Sequence, residues 1–198
     1  MFTGIIQAQG SVHEIESSDD GIHLKINSHD LDLSYSKVGD SIAVDGVCLT
    51  ATQISKNCFT ANVSNETIAC TTFSGLSQGQ SVNLERSMRL NQGIDGHLVS
   101  GHVDGVGVIH AIDQDGDSTR ISVEAKEDVV KYIAKKGSIC INGVSLTVNN
   151  VEKNIFDVNI VPHTFSVTTL GDLKHKSKVN LEIDLIARYV ERLFKQHK

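Results

Sequence analysis

The chain has 198 residues, a net charge of −6 and 39% hydrophobic residues. That length fits one large domain or two small ones. The hydrophobic share is enough for a packed core, and no apolar run approaches a membrane span. Nucleic-acid binding is not expected either: the chain is acidic, and Lys135, Lys136 and the Lys174, Lys176, Lys178 stretch form too small a basic patch.

The opening, Met1-Phe2-Thr3-Gly4, has neither the charged nor the apolar region of a secretory signal, so a cytoplasmic location is expected. Runs rich in Val, Ile, Leu and Thr then alternate with turn residues. Residues 3–17, 22–26, 41–54, 58–63 and 81–86 read as strands. A stretch at 30–37 is matched by 127–135, where Val129, Val130 and Ile133 share one helical face, and predicts a short helix in each half. Residues 88–96 form a glycine-containing linker. The strand pattern then begins again and ends in a tail with Leu185, Ile186, Tyr189, Val190, Leu193 and Phe194 at helical spacing.

The second half repeats the first. Gly46-Val47-Cys48-Leu49-Thr50 recurs as Gly143-Val144-Ser145-Leu146-Thr147, at an offset of 145 − 48 = 97. The same offset carries Val82-Asn83-Leu84-Glu85 onto Val179-Asn180-Leu181-Glu182, Phe59 onto Phe156, Gly4 onto Gly101 and Gly10 onto Gly107. Two copies with so long a period are tandem compact domains rather than a solenoid. The expected fold is all-β: two small barrels at residues 1–97 and 98–184, each closed so that no strand edge is exposed, followed by a C-terminal α-helix at 185–198. A short amphipathic helix needs a surface to pack on. Its own barrel and a neighbouring subunit serve equally well.

Cys48, Cys58, Cys70 and Cys140 contain no CxxC pair, and none is duplicated as a cysteine, so they are expected to be free thiols in a reducing compartment. Side chains two apart on a strand share a face. Cys48 and Thr50 therefore point together, as do Ser145 and Thr147, and both copies keep a thiol or hydroxyl followed by Thr at one place. His97 and His102 are five residues apart, a spacing that suits no common zinc pattern, so no metal is expected. His102 could transfer protons, since imidazole titrates near neutral pH. Asn62-Val63-Ser64-Asn65-Glu66-Thr67 and Asn159-Ile160-Val161-Pro162-His163-Thr164 form matched polar stretches after a strand. They suit a ring edge or a polyol chain, or else are ordinary turns.

These motifs together resemble riboflavin synthase of the alpha-chain type. The resemblance rests on Met1-Phe2-Thr3-Gly4-Ile5, Asp45-Gly46-Val47-Cys48-Leu49-Thr50, the run from Gly96 to Gly105, Lys136-Gly137-Ser138-Ile139, Gly143-Val144-Ser145-Leu146-Thr147-Val148 and Pro162-His163-Thr164. It covers essentially the whole chain. It implies two tandem six-stranded Greek-key barrels and a homotrimer held by the C-terminal helix, with a site between the first barrel of one chain and the second barrel of a neighbour. It also implies a reaction without cofactor or metal, in which two molecules of 6,7-dimethyl-8-ribityllumazine exchange a four-carbon unit to give riboflavin and 5-amino-6-ribitylamino-uracil. Association with lumazine synthase is left open.

Carried over residue by residue, the resemblance implies a first pocket of Gly4, Ile5, Ile6, Cys48, Leu49, Thr50 and Asn62 to Thr67. The second is implied to use Gly101, His102, Val103, Lys136, Ser145, Leu146, Thr147 and Asn159 to Thr164. Cys48, His97, His102, Ser145 and Asp184 are the implied candidates for proton transfer or for delivering a nucleophile. A non-catalytic lumazine-binding protein is the alternative; such relatives tend to lose the polar pairs, and both persist here. A flavin reductase would need an Arg-x-Tyr-Ser motif that this chain lacks.

Overall fold

The structure, a computed structural model, describes residues 1–195. The first copy forms β1 (Ala8–Ser18), β2 (Gly21–Asn27), β3 (Ser41–Val44), β4 (Val47–Ile54), β5 (Cys58–Ser64) and β6 (Ser81–Arg86). The second forms β7 (Gly105–Asp115), β8 (Ser118–Glu124), β9 (Ser138–Ile141), β10 (Val144–Glu152), β11 (Ile155–Ile160) and β12 (Lys178–Ile183). Each set closes into a six-stranded antiparallel barrel, in the order β1-β2-β5-β4-β3-β6 and its equivalent in the second copy. Strands β3, β4 and β5 form a meander and β2 returns beside β5, which is a Greek key. Alternation along the strands fills each barrel. Leu24, Ile26, Ile42, Phe59 and Leu84 are buried in the first, and Ile109, Val123, Ile139, Phe156 and Leu181 in the second.

Local differences from the sequence reading have physical causes. The run 41–54 is two strands, because Asp45 (φ 45°) and Gly46 (φ 80°) both lie in the left-handed region and make a two-residue hairpin turn; Asn142 (φ 46°) and Gly143 (φ 83°) do the same in copy two. Residues 30–37 are not helical. Leu31 and Leu33 are both buried at a spacing of two, and Asp32 accepts a hydrogen bond from Ser34 N at 2.9 Å, which holds a turn. The matching helix in copy two, α2 (Glu127–Val130), is short.

Two further helices, α1 (Asn65–Cys70) and α3 (Pro162–Val167), stand where the polar stretches were read. Both had a readable start signal: Ser64 caps α1 by accepting from Thr67 N, and Pro162 occupies the first turn of α3. The first strand begins at Ala8, and residues 1–7 form an arm.

The barrels meet across a local two-fold axis, visible because residues touch their own repeat equivalents. Phe2 and Val99 form an isolated bridge, with Phe2 N donating to Val99 O at 2.7 Å and Val99 N to Phe2 O at 3.1 Å. Ala43 and Cys140 join them in a small buried cluster. A Cβ on Gly46 would lie 2.7 Å from Gly143 N, so the two hairpin turns touch backbone to backbone.

A buried polar network crosses the same axis. Asn83 Nδ2 donates to Asn142 O and Asn180 Nδ2 to Asp45 O, both at 2.9 Å. Asn83 Oδ1 accepts from Thr169 N and Asn180 Oδ1 from Thr72 N, both at 2.8 Å.

The tail helix, α4 (Leu185–Lys195), is held to its own barrel by its polar side; residues 196–198 of the predicted helix lie outside the described residues. Arg188 donates to Asp104 Oδ2 at 2.7 Å and to His102 O at 2.9 Å, and Lys131 pairs with Glu191 at 3.4 Å. Ile186, Tyr189, Leu193 and Phe194 remain mostly exposed. No helix among the described residues is long and apolar enough to cross a membrane.

Candidate functional site

On β4, Val47, Leu49 and Ala51 enter the barrel core, so Cys48 and Thr50 project outward. Ser145 and Thr147 do the same on β10. The polar pairs thus lie on the outer wall of each barrel. There the sheet is open. The β4–β5 ladder runs from Ile54/Phe59 only to Ala51/Ala61, whereas β5 stays paired to β2 as far as Ser64. Residues 48–50 and 62–64 therefore face one another without a ladder. The β10–β11 ladder likewise stops at Val148/Val158 while β11 follows β8 to Ile160. Main-chain groups left unpaired in such a split can hydrogen-bond a flat polar ring. Leu49, Val63 and Ile160 are buried with their side chains in the cores, so only their backbones can serve a ligand.

The arms that border these splits are exchanged. Cys48 N donates to Gly101 O at 2.9 Å, and Ser145 N to Gly4 O at 2.8 Å. A Cβ on Gly101 would fall 2.5 Å from Cys48 Cβ, and one on Gly4 2.6 Å from Ser145 Cβ; both glycines have positive φ. Val103 packs on the first barrel's core and Ile6 on the second's. The expected grouping of Gly4, Ile5 and Ile6 with Cys48, and of Gly101, His102 and Val103 with Ser145, is therefore corrected. Each arm belongs to the other copy's pocket, because Phe2 and Val99 cross at the axis.

Two carboxylates fasten the arms. Glu85 accepts from Thr3 N and Thr3 Oγ1 at 2.7 and 2.8 Å and from Gly4 N at 3.0 Å. Glu182 accepts from Ser100 N and Ser100 Oγ at 2.7 and 2.6 Å and from Gly101 N at 2.9 Å. Burial pushes both carboxyls above the usual range, and the arm's hydrogen bonds pull them back. Sequence reasoning missed these two residues. Their signal was the duplicated Val-Asn-Leu-Glu, which places a charge in a buried strand.

The second pocket holds a group the first lacks. His97 Nδ1 lies 2.7 Å from Ser145 Oγ, while His97 Nε2 is buried without a protein partner. His97 N donates to Thr3 O at 3.1 Å, and a Cβ on Gly96 would sit 2.1 Å from that oxygen, which is why a glycine precedes the histidine. Burial pushes this imidazole below its usual range, and the Asp184 carboxylate partly opposes that. Asp184 also caps α4, accepting from Ile186 N at 3.0 Å.

Lys136 has φ 67° in the turn before β9, two residues from Ser138, the strand partner of Thr147. Its copy-one counterpart is Gly39, φ 95°. His102 is exposed on its arm, between Gly101 and Val103. The structure thus gathers Cys48, Thr50, Gly101 to Val103 and 62–67 around one split. Gly4 to Ile6, His97, Ser145, Thr147 and 159–164 surround the other.

Comparison with known proteins agrees with this geometry. The lumazine binding domain family matches residues 3–87 and again 100–184. The chain is 44% identical over 193 residues to the riboflavin synthase of Photobacterium phosphoreum, covering 98% of this chain and 88% of the relative. It is 40% identical over 203 residues to that of Brucella abortus (strain 2308), covering 100% of each. With that of Bacillus subtilis (strain 168) it shares 38% identity over 192 residues, covering 97% and 89%. Among solved structures, LumP complexed with riboflavin superimposes with a TM-score of 0.84 at 29% identity, covering 92% of this chain and 99% of that one. LumP complexed with 6,7-dimethyl-8-(1'-D-ribityl) lumazine gives 0.83 at 28%, with the same coverage. Two family matches in tandem, and full-length identity to these enzymes, place the chain in the lumazine-binding, riboflavin synthase family.

Proposed function

We propose that the protein converts two molecules of 6,7-dimethyl-8-ribityllumazine into riboflavin and 5-amino-6-ribitylamino-uracil by transfer of a four-carbon unit. The observation that carries this reading is the pair of two-fold-related splits, each with an outward thiol or hydroxyl followed by Thr. A reaction between two identical molecules needs two similar sites, and it needs them to differ enough that one molecule donates and the other accepts.

The substrate's C7 methyl is unusually acidic because its anion delocalises over the ring. Holding two rings in register can supply much of the acceleration. The protein's own groups then move protons and stabilise charge. His97, whose imidazole burial pushes below its usual range and which pairs with Ser145, suits proton transfer at the second pocket, with Asp184 stabilising the imidazolium. Cys48 and His102 serve the first. Lys136 offers an ammonium near Thr147, where it can meet a ring oxygen or a polyol. The repeat sets the units: a barrel at 1–97, a barrel at 98–184 and an oligomerisation tail at 185–198. The reading includes a homotrimer, supported by the exposed Ile186, Tyr189, Leu193 and Phe194. It includes a cytoplasmic location, consistent with four free thiols.

Incubating the purified protein with the lumazine alone tests it. Flavin fluorescence should appear without added cofactor, be unaffected by chelator, and consume two lumazines per riboflavin. The likeness to LumP supports one rival reading, a binding module. That protein would emerge with stoichiometric fluorophore and show no turnover.

A further inference from the structure

The two copies hold one amide in different ways. Asn62 and Asn159 are repeat equivalents at the lips of the two splits, and both project outward. In copy two both ends of the amide are occupied. Asn159 Nδ2 donates to Asp115 Oδ2 at 2.9 Å and Oδ1 accepts from Asn149 Nδ2 at 3.0 Å. Asp115 is itself clamped by Arg120 at 2.6 Å. Hydrogen bonds from Asn159 and Arg120 push the Asp115 carboxyl below its usual range, so it stays an acceptor. Asn159 has one orientation.

The counterparts of Asp115, Arg120 and Asn149 in copy one are Ser18, His23 and Thr52, each 97 residues earlier. None of the three is a permanent partner for an amide nitrogen. Thr52 Oγ1 donates instead to Thr60 O at 3.0 Å. Asn62 is held by His23, whose Nδ1 lies 2.7 Å from Asn62 Oδ1. Asn62 Nδ2 has no protein partner among the described residues.

We propose that His23 is a positioning residue that sets the hydrogen-bonding polarity of Asn62 at the first pocket and reverses it with pH, so that the Asn62 amide is pH-responsive and the Asn159 amide is fixed. This rests on the reading of the splits as lumazine sites. An imidazolium donates from both nitrogens, so it must face Oδ1 and leaves Nδ2 turned to the ligand. A neutral imidazole with its proton on Nε2 has a lone pair on Nδ1 and pairs with Nδ2, which turns Oδ1 to the ligand. A pteridinedione edge is mostly carbonyl oxygens and ring nitrogens, and its C7 anion places more charge there. The protonated state of His23 therefore favours ligand in the first pocket.

The charged groups facing His23 suit this. Glu16 is its cross-strand partner on β1. Glu14 and Lys25 pair with each other on the same wall, and Asp19 and Asp20 sit in the adjoining turn. Asn62, across on β5, is uncharged.

The direct test is nuclear magnetic resonance of the full-length protein, following the His23 ring and the Asn62 and Asn159 side-chain amides from pH 5.5 to 8.5. The Asn62 amide should shift with the same midpoint as His23, while Asn159 should not move through that range. His23→Arg writes the copy-two residue into copy one and is a donor at every pH; it should abolish the Asn62 transition. In the wild type, the Kd of the lumazine should rise about threefold to tenfold as His23 loses its proton, the loss expected of one hydrogen bond, and the rise should vanish in His23→Arg. An Asn62 amide that ignores the His23 titration, or a transition that persists in His23→Arg, overturns the proposal. A flip that leaves the Kd unchanged overturns its ligand-facing part. Failure to form riboflavin would sink the enzymatic reading and leave the amide measurement standing.

Discussion

Replacing Asp45 by Asn should stabilise the protein, and more so as pH rises. Asp45 occupies the left-handed hairpin turn at the barrel interface, is 5% exposed, and accepts from Asn83 N at 2.8 Å. Burial pushes its carboxyl up to about 7 from 3.8. The folded protein therefore holds this proton more tightly than the unfolded chain. The contribution is fully present below the unfolded value, about 4, and is lost as pH rises towards about 7. The charged form costs the fold about 1.5 kcal/mol at pH 5 and about 4 kcal/mol at pH 8, at about 1.4 kcal/mol per unit.

Copy two shows that the amide fits. Asn142 stands at the equivalent turn and accepts from Asn180 N at 2.7 Å, and Asn tolerates positive φ. The side chain borders a polar cavity of about 320 Å³ shared with Thr72 and Thr169, which can solvate the new Nδ2. Urea unfolding at fixed protein concentration, at pH 5 and pH 8, measures the difference. Equal stabilisation at both values, or none, would refute the assignment of a buried, charge-averse carboxyl.

Truncation after Asp184 removes the exposed stripe of α4 together with the Arg188 anchor, and should convert the proposed trimer to monomers with little activity; an oligomer that survives in light scattering would count against the tail as the contact. His97→Ala should lower kcat by about a hundredfold, as for loss of a proton-transfer group, while changing lumazine binding much less. A kcat close to wild type would remove His97 from the proposed chemistry.

The barrels were legible because their signals are periodic and written twice. Val47, Leu49 and Ala51 alternate with Cys48, Thr50 and Thr52 on one strand, and the same alternation returns 97 residues later. The hairpin at Asp45-Gly46 did carry a signal, Asp-Gly between two β-forming runs, and reading the runs as one long strand passed over it. The helix expected at 30–37 failed because only the copy-two counterpart places buried residues on one face. The exchange of arms could not be read at all: Gly4 and Gly101 are equivalent, and a repeat pattern does not distinguish packing on one's own copy from packing on the other. Glu85 and Glu182 were visible as a motif, but their purpose depends on where Thr3 and Ser100 come to rest.

The exchange changes what the duplication means. If each pocket were made within one copy, fusion would only join two complete sites. Here the backbone N–H of Cys48 is satisfied by Gly101, and that of Ser145 by Gly4. Neither split is bordered until both copies are present. Two-fold contacts hold the copies together: Gly46 meets Gly143, Phe2 meets Val99, and Asn83 and Asn180 each bond across to the other copy. A side chain added at these points would have to fit against its own equivalent.

The copies differ at the axis, Phe2 against Val99 and Asp45 against Asn142, and also away from it: Cys48 against Ser145, His23 against Arg120, Gly39 against Lys136. His97 is a stronger case. It belongs to the segment joining the copies and bonds Ser145 of the second pocket. A histidine placed at the junction and bonded to Ser145 makes the two sites unequal. That inequality is what a reaction between two identical molecules requires.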